Sequence, residues 1–370
     1  MALEHTKLRA LVVVVVFAAV AAGVYLLVRQ FGEDPELAAA KELLTQREFS
    51  EASRHLKTYL TTHPQDVNAR LLAAQTARRD GKFSEAKRLL QALEADRVPG
   101  ELLRTEYRCM ALMQGELSGL DEAAKQCRER PGEAETALLL EASIVGGLNA
   151  LAPPFTTHTP YYIDVAPPLL AKLEPLVDLW LETRGRPSDR IAGLVWRGRV
   201  RELSRDHVRA IADLRKVLHE SPNHFEAAFY LALFLAQEDL VGSHHRLEAL
   251  RQRYPDDPQV LFALASGLHS LGRLDEAAKL FDRVIAANPT VPTALVERGL
   301  VALDAQKPAE AEPLLRKALA ISPQDADTHL ALARCMRLLG KTEEANQFQD
   351  RFRELEAGMV PGQRASVKKP

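Results

Sequence analysis

Few side chains in this sequence are spaced for chemistry. His244 and His245 are adjacent; Cys109, Cys127 and Cys335 stand apart without a C-x-x-C pair; His158, Tyr162 and Asp164 share one proline-rich stretch. A metal needs ligands that converge, and neighbours on a helix point about 100° apart, so the two histidines make poor joint ligands. Cys109 and Cys127 are expected on the two helices of one hairpin, where an oxidising compartment would permit a bridge if they met; buried thiols are the simpler expectation. The chain has no G-x-S-x-G elbow, no Walker A run, no H-E-x-x-H and no G-x-G-x-x-G after a strand, so no motif signals acyl transfer, nucleotide hydrolysis, zinc proteolysis or dinucleotide binding. The predicted work is binding, with no catalytic residue, cofactor, metal or small-molecule substrate. Two alternatives stay open: a structural subunit of a larger complex, and an enzyme or its regulatory subunit using His158, Tyr162 and Asp164.

Composition agrees with an interaction protein of ordinary surface. The 370 residues are 46% hydrophobic and 26% charged, which suits a packed core and excludes wholesale disorder. Forty-eight basic residues against 50 acidic ones leave a formal net charge of -2, so there is no electrostatic footprint for nucleic acid.

Residues 10–28 read ALVVVVVFAAVAAGVYLLV, nineteen positions without a charge, and as a helix would rise about 28 Å, enough to span a bilayer's hydrocarbon. Lys7 and Arg9 precede the run, and Arg29 and then Glu33, Asp34 and Glu36 follow it. Close-in positive charge therefore places residues 1–9 in the cytoplasm and exports the rest. The expectation is a single-pass protein of the bacterial cytoplasmic membrane with a periplasmic C-terminal domain. Ala19-Val20-Ala21 also has the small-x-small form of a cleavage site, so secretion after signal cleavage is the alternative; the apolar run exceeds the usual signal core of about 7 to 15 residues.

Beyond this segment the chain repeats itself. Gly272-Arg-Leu-Asp-Glu-Ala277-Ala-Lys-Leu-Phe281 echoes runs at Gly81, Gly119 and Gly340, and Ala52 to Ala86, Ala277 to Ala311 and Ala311 to Ala345 are each 34 residues apart. Two short helices and two turns account for that period, because a hairpin buries its apolar faces only by stacking on the next. A small residue such as Ala277 belongs where the helices cross closely. Pro64, Pro222, Pro255, Pro289 and Pro323 mark the ends of second helices, where a residue without an N–H is tolerated.

The unit Leu261-x2-Leu264-Ala265-x2-Leu268, Ala277-x3-Phe281, Pro289 resembles the tetratricopeptide repeat family. Units with Leu295, Gly299, Ala311, Leu315 and Pro323, and with Leu194, Gly198, Ala210, Leu214 and Pro222, follow the same pattern, but Arg298, Arg197 and Arg201 stand at positions expected to be apolar. The resemblance implies an all-α, right-handed superhelical solenoid of about eight or nine helix pairs, preceded by one transmembrane helix. It divides the chain into N-terminal repeats at 33–130, a divergent repeat at 131–187, C-terminal repeats at 188–357 and a basic disordered tail at 358–370.

The divergent part is where the period fails, since Ala124 and Ala210 are 86 residues apart. One helix is expected over 131–150 and another over 169–183, kinked or delayed by Pro175. The loop between them carries Phe155, Tyr161 and Tyr162, which could anchor a partner or fold back over the repeat. In the family the binding surface is the concave face, lined by first helices. On that face the sequence predicts an apolar floor of Leu71, Val195, Phe229, Phe262, Val296 and Leu330, with Gln75, Arg78, Arg199, Glu202, His269, Arg334 and Arg337 along it. Such a surface suits an amphipathic or extended acidic segment of another protein. The lysine and asparagine that clamp a peptide's terminal carboxylate in some members are absent from it. By resemblance, anchored repeat proteins act in envelope, cytochrome, pilus or secretion assembly, which makes a membrane-anchored scaffold the expected function.

Overall fold

The computed structural model describes residues 34–131, 133–151 and 167–358. The expected anchor, the loop residues Phe155, His158, Tyr161, Tyr162 and Asp164, and the basic tail beyond Gly358 lie outside them. Eighteen α-helices and one 3₁₀ turn make up the regular structure of the described residues, with no strand among them. No helix among the described residues is long and apolar enough to cross a membrane. The chain forms two compact units, Met1–Met110 and Ala111–Pro370.

The first unit contains α1 (Pro35–Thr45) against α2 (Phe49–Thr62), α3 (Val67–Arg79) against α4 (Phe83–Ala95), and most of α5 (Gly100–Met113). Asp66 starts α3 by accepting from the Ala69 amide at 3.0 Å, and the Tyr59 hydroxyl of α2 donates to the same carboxylate at 2.8 Å. Those bonds hold the Asp66 carboxyl below its ordinary pKa. Ala74, Ala77 and Ala86 let α3 and α4 approach, and Leu90, Leu93, Leu103 and Met110 fill the space around them.

The second unit holds the 3₁₀ turn at Leu117–Gly119, α6 (Leu120–Glu129), α7 (Ala134–Leu151) and α8 (Pro167–Thr183), followed by five regular hairpins. These are α9 (Pro187–Leu203) with α10 (His207–Glu220), α11 (Phe225–Leu235) with α12 (Leu240–Arg253), α13 (Pro258–Ser270) with α14 (Leu274–Ala287), α15 (Pro292–Asp304) with α16 (Pro308–Ile321), and α17 (Ala326–Leu338) with α18 (Thr342–Gly358). Each of the five terminating prolines read from the sequence falls two residues past a helix end.

The crossing residues are small for a steric reason. A Cβ added to Gly198 would sit 3.3 Å from the Ala210 carbonyl oxygen, and one added to Gly299 would meet Leu315 at 2.7 Å. Where α11 crosses α12, Ser243 takes the alanine position and donates to the Ala232 carbonyl at 2.7 Å. In six of the helix pairs the turn takes one left-handed residue. Gly81, Gly272 and Gly340 supply it with φ near +74°, whereas Arg47, Arg205 and Gln306 adopt φ of 64°, 62° and 59° at the equivalent place. A side chain there costs on the order of 1 kcal/mol.

The divergent region is also a helix pair. In it α7 lies so close to α8 that a Cβ on Gly147 would meet Leu173 at 2.4 Å, and α8 continues through Pro175 without breaking. Its buried stripe is Leu173, Leu176, Val177 and Trp180. The Trp180 indole packs edge-on to Trp196 of α9 and donates to the Asp189 carbonyl at 2.7 Å.

Candidate functional site

The first helices of the last hairpins place side chains from one repeat onto the next, and two of the expected site residues, His269 and Arg334, meet there on one carboxylate. His269 leaves the last turn of α13 and its Nε2 lies 2.7 Å from the Asp304 carboxylate of α15; its Nδ1 lies 3.9 Å from Glu297. Arg334 of α17 donates to the other Asp304 oxygen at 2.6 Å. Three consecutive first helices are thus joined by four charged or titratable groups. The Glu297 and Asp304 carboxylates raise the His269 pKa above its ordinary value against the opposing effect of burial. Burial works to raise the Asp304 carboxyl, but the bonds from His269 and Arg334 outweigh it and hold it below the usual range.

Asp327 begins α17 nearby. Although the residue is exposed, crowding by the surrounding chain, then the carboxylates of Asp325, Glu297 and Glu356, push its pKa up to about 6. Further along the array, the Arg199 guanidinium lies 4.8 Å from the centre of the Tyr230 ring, joining α9 to α11. Burial raises the Tyr230 hydroxyl despite the nearby Arg199 charge. Arg337, exposed near the end of α17, donates to Gln349 of α18 at 2.6 Å.

Other predicted positions serve packing. Val195, Phe229, Phe262 and Val296, expected as an apolar floor, are buried. Phe262 meets Phe281 edge-on at 5.4 Å, and Phe229 stacks on Phe225 at 5.9 Å. Leu71 and Leu330 are only partly buried. Arg78, expected along the binding face, is 1% exposed inside the first unit and donates through Nε to Glu106 at 2.9 Å. Glu202 is also buried; desolvation raises its carboxyl, opposed by the His207 ring 2.9 Å away. Cys109, Cys127 and Cys335 are buried thiols, and the His244 and His245 ring centroids are 6.2 Å apart and tilted. Among the described residues no group of three His, Cys, Asp or Glu side chains could hold a metal.

The arginines that depart from the apolar pattern also find carboxylates. Arg197 donates to Asp213 of α10 at 2.9 and 3.1 Å and reaches Asp178 of α8 at 3.4 Å; Arg201 donates to Asp213 as well. Arg298 has the same reach, with Asp282 of α14 at 2.9 Å and Glu310 of α16 at 3.9 Å. Each arginine therefore ties the second helix of its own hairpin to that of the preceding one. Sequence reading missed Asp213, Glu297, Asp304, Asp327 and Tyr230. A signal for Asp213 existed, since it sits three residues beyond Ala210, where other repeats place Leu89, Leu280 and Leu314.

A tetratricopeptide repeat family model matches residues 43–102 and 302–353, and a second model of that repeat matches residues 233–292. The chain carries tetratricopeptide repeats. Its similar solved structures include one described as "MamA MSR-1 C2", 21% identical, covering 45% of this chain and 97% of that one at a TM-score of 0.39. Another, "Crystal structure of MamA protein", is 19% identical and covers 46% of this chain and 98% of its own at a TM-score of 0.40. A third, "MamA RS-1 ArsTM double mutant", is 16% identical, covers 46% and 96%, and has a TM-score of 0.41. No curated protein matches the chain.

Proposed function

We propose that the chain is a non-catalytic scaffold that binds a segment of another protein along the first-helix face of its C-terminal repeats. The supporting observation is the joining of α13, α15 and α17 through His269, Asp304 and Arg334, which aligns neighbouring first helices beside the exposed Arg337 and the partly buried Leu330. An amphipathic segment suits that mixture, with its apolar side on Leu330 and its acidic groups toward the arginines. The scaffold is held in a bacterial cytoplasmic membrane by residues 10–28, with the repeats in the periplasm, and supports assembly of an envelope complex. Confinement to the membrane raises its effective concentration for membrane-bound clients.

Co-purification of the full chain from detergent-solubilised native membranes tests the reading. It predicts a stoichiometric protein partner that is lost from a folded Leu330→Glu, Arg337→Glu variant. Recovery of no partner, or of the same partner by both proteins, contradicts it. A reporter fused to the C-terminus tests sidedness, and activity only in the cytoplasm contradicts the periplasmic placement.

A further inference from the structure

We propose that His269, Glu297, Asp304 and Arg334 form a proton-gated clamp that stiffens the last three hairpins at mildly acidic pH and loosens them above neutrality. The inference stands on the array itself and does not depend on any partner. Glu297 and Asp304 are seven residues apart, two turns of α15, and both address one imidazole from the preceding first helix. A neutral imidazole has one N–H and one acceptor nitrogen, so it can donate to one carboxylate while its lone pair faces the other. The protonated ring carries an N–H on both sides, one bonded to Asp304 at 2.7 Å and one directed to the ion pair with Glu297 at 3.9 Å. With Arg334 on the second oxygen of Asp304, two cations then balance two carboxylates across three helices. Loss of the ring proton leaves one negative charge in excess in a partly desolvated place, where the His269 and Glu297 side chains are only 19% and 20% exposed.

The surrounding carboxylates act in the same direction, and the Arg334 charge opposes them. Glu297 and Asp304 of α15 are the groups that raise the imidazole, and Arg334 of α17 reaches it through Asp304. The carboxylates of Asp325, of Glu297 on α15 and of Glu356 on α18 also raise Asp327 of α17. A histidine whose folded pKa exceeds its unfolded value of about 6.5 stabilises fully below that value and loses the contribution as pH rises through the folded pKa. Asp327, raised to about 6, disfavours the folded array once it ionises, so its contribution also falls as pH rises. The lowered Asp304 carboxyl loses its contribution only in acid well below this window.

Hydrogen exchange of the full chain in detergent, corrected for intrinsic rates and followed over residues 258–338 from pH 5.5 to 8.5, tests the clamp. The wild type is expected to lose protection with rising pH, by up to about tenfold for each unit by which the histidine is raised. His269→Gln should reduce this dependence, leaving the Asp327 contribution near pH 6. Glu297→Gln should move the histidine-dependent midpoint down and Arg334→Gln should move it up, because they remove opposite charges. Both are partly exposed positions that spare the core, so they keep the test valid if His269→Gln fails to fold. A flat wild-type profile, a full dependence in His269→Gln, or midpoints that do not separate in those directions overturns the proposal.

Discussion

The hairpins α9/α10 and α15/α16 carry the same departure from the repeat pattern and use it differently. Both place an arginine, Arg197 or Arg298, in an apolar position beside a crossing glycine, and both reach carboxylates on two successive second helices. In α9/α10 the hub carboxylate, Asp213, is fully buried and shared with Arg201; in α15/α16 the carboxylates of Asp282 and Glu310 are 56% and 53% exposed. The position equivalent to Asp213 is Leu314, which packs into the core. The first arginine therefore neutralises an interior charge, while the second, itself only 13% exposed, reaches out to carboxylates that solvent screens. One geometry thus serves as an obligatory partner in one repeat and an optional one in another.

The comparison can be broken by substitution, and the largest effect belongs to the buried hub. Asp213→Ala removes the buried carboxylate that Arg197 and Arg201 share, leaving them only the more distant Asp178 and Glu174, and should cost about 3–5 kcal/mol in denaturant unfolding; a loss within about 1 kcal/mol would remove the distinction. Arg197→Leu should cost less, about 2 kcal/mol, because Arg201 still covers Asp213. Arg298→Leu restores the apolar residue of the pattern and should stay within about 1 kcal/mol of wild type, since the carboxylates it leaves behind are exposed and solvated. The backbone offers a control in which the hairpins should agree. Arg205→Gly and Gln306→Gly each relieve a left-handed turn and should change stability by equal amounts, a gain of at most about 1 kcal/mol. Unequal gains would show that burial also differs at the turns.

The repeat was legible because stacking imposes it on the sequence. Ala277, Phe281 and Pro289 report a close crossing, a filled gap and a helix end, each tied to a residue type. Pro175 was expected to kink or delay α8, yet the helix runs through it. Charged positions were harder to read. Arg78, Arg199, His269 and Arg334 each look like solvated residues when taken singly, and their partners lie 28 to 35 positions away on neighbouring repeats or, for Arg199, in an aromatic ring. Aligning the repeats and asking which polar residues occupy apolar slots would have paired Arg197 with Asp213. It would not have found the His269 cluster, whose members occupy positions where polar residues are ordinary.

A photo-crosslinking residue placed in turn at Glu226, Leu330 and Arg337 on first helices, and at Lys279 on a second helix, measures most directly where the protein binds. The account predicts one discrete protein adduct from the first-helix positions in native membranes and none from Lys279. Adducts confined to Lys279, or no adduct at any of the four positions, would contradict it.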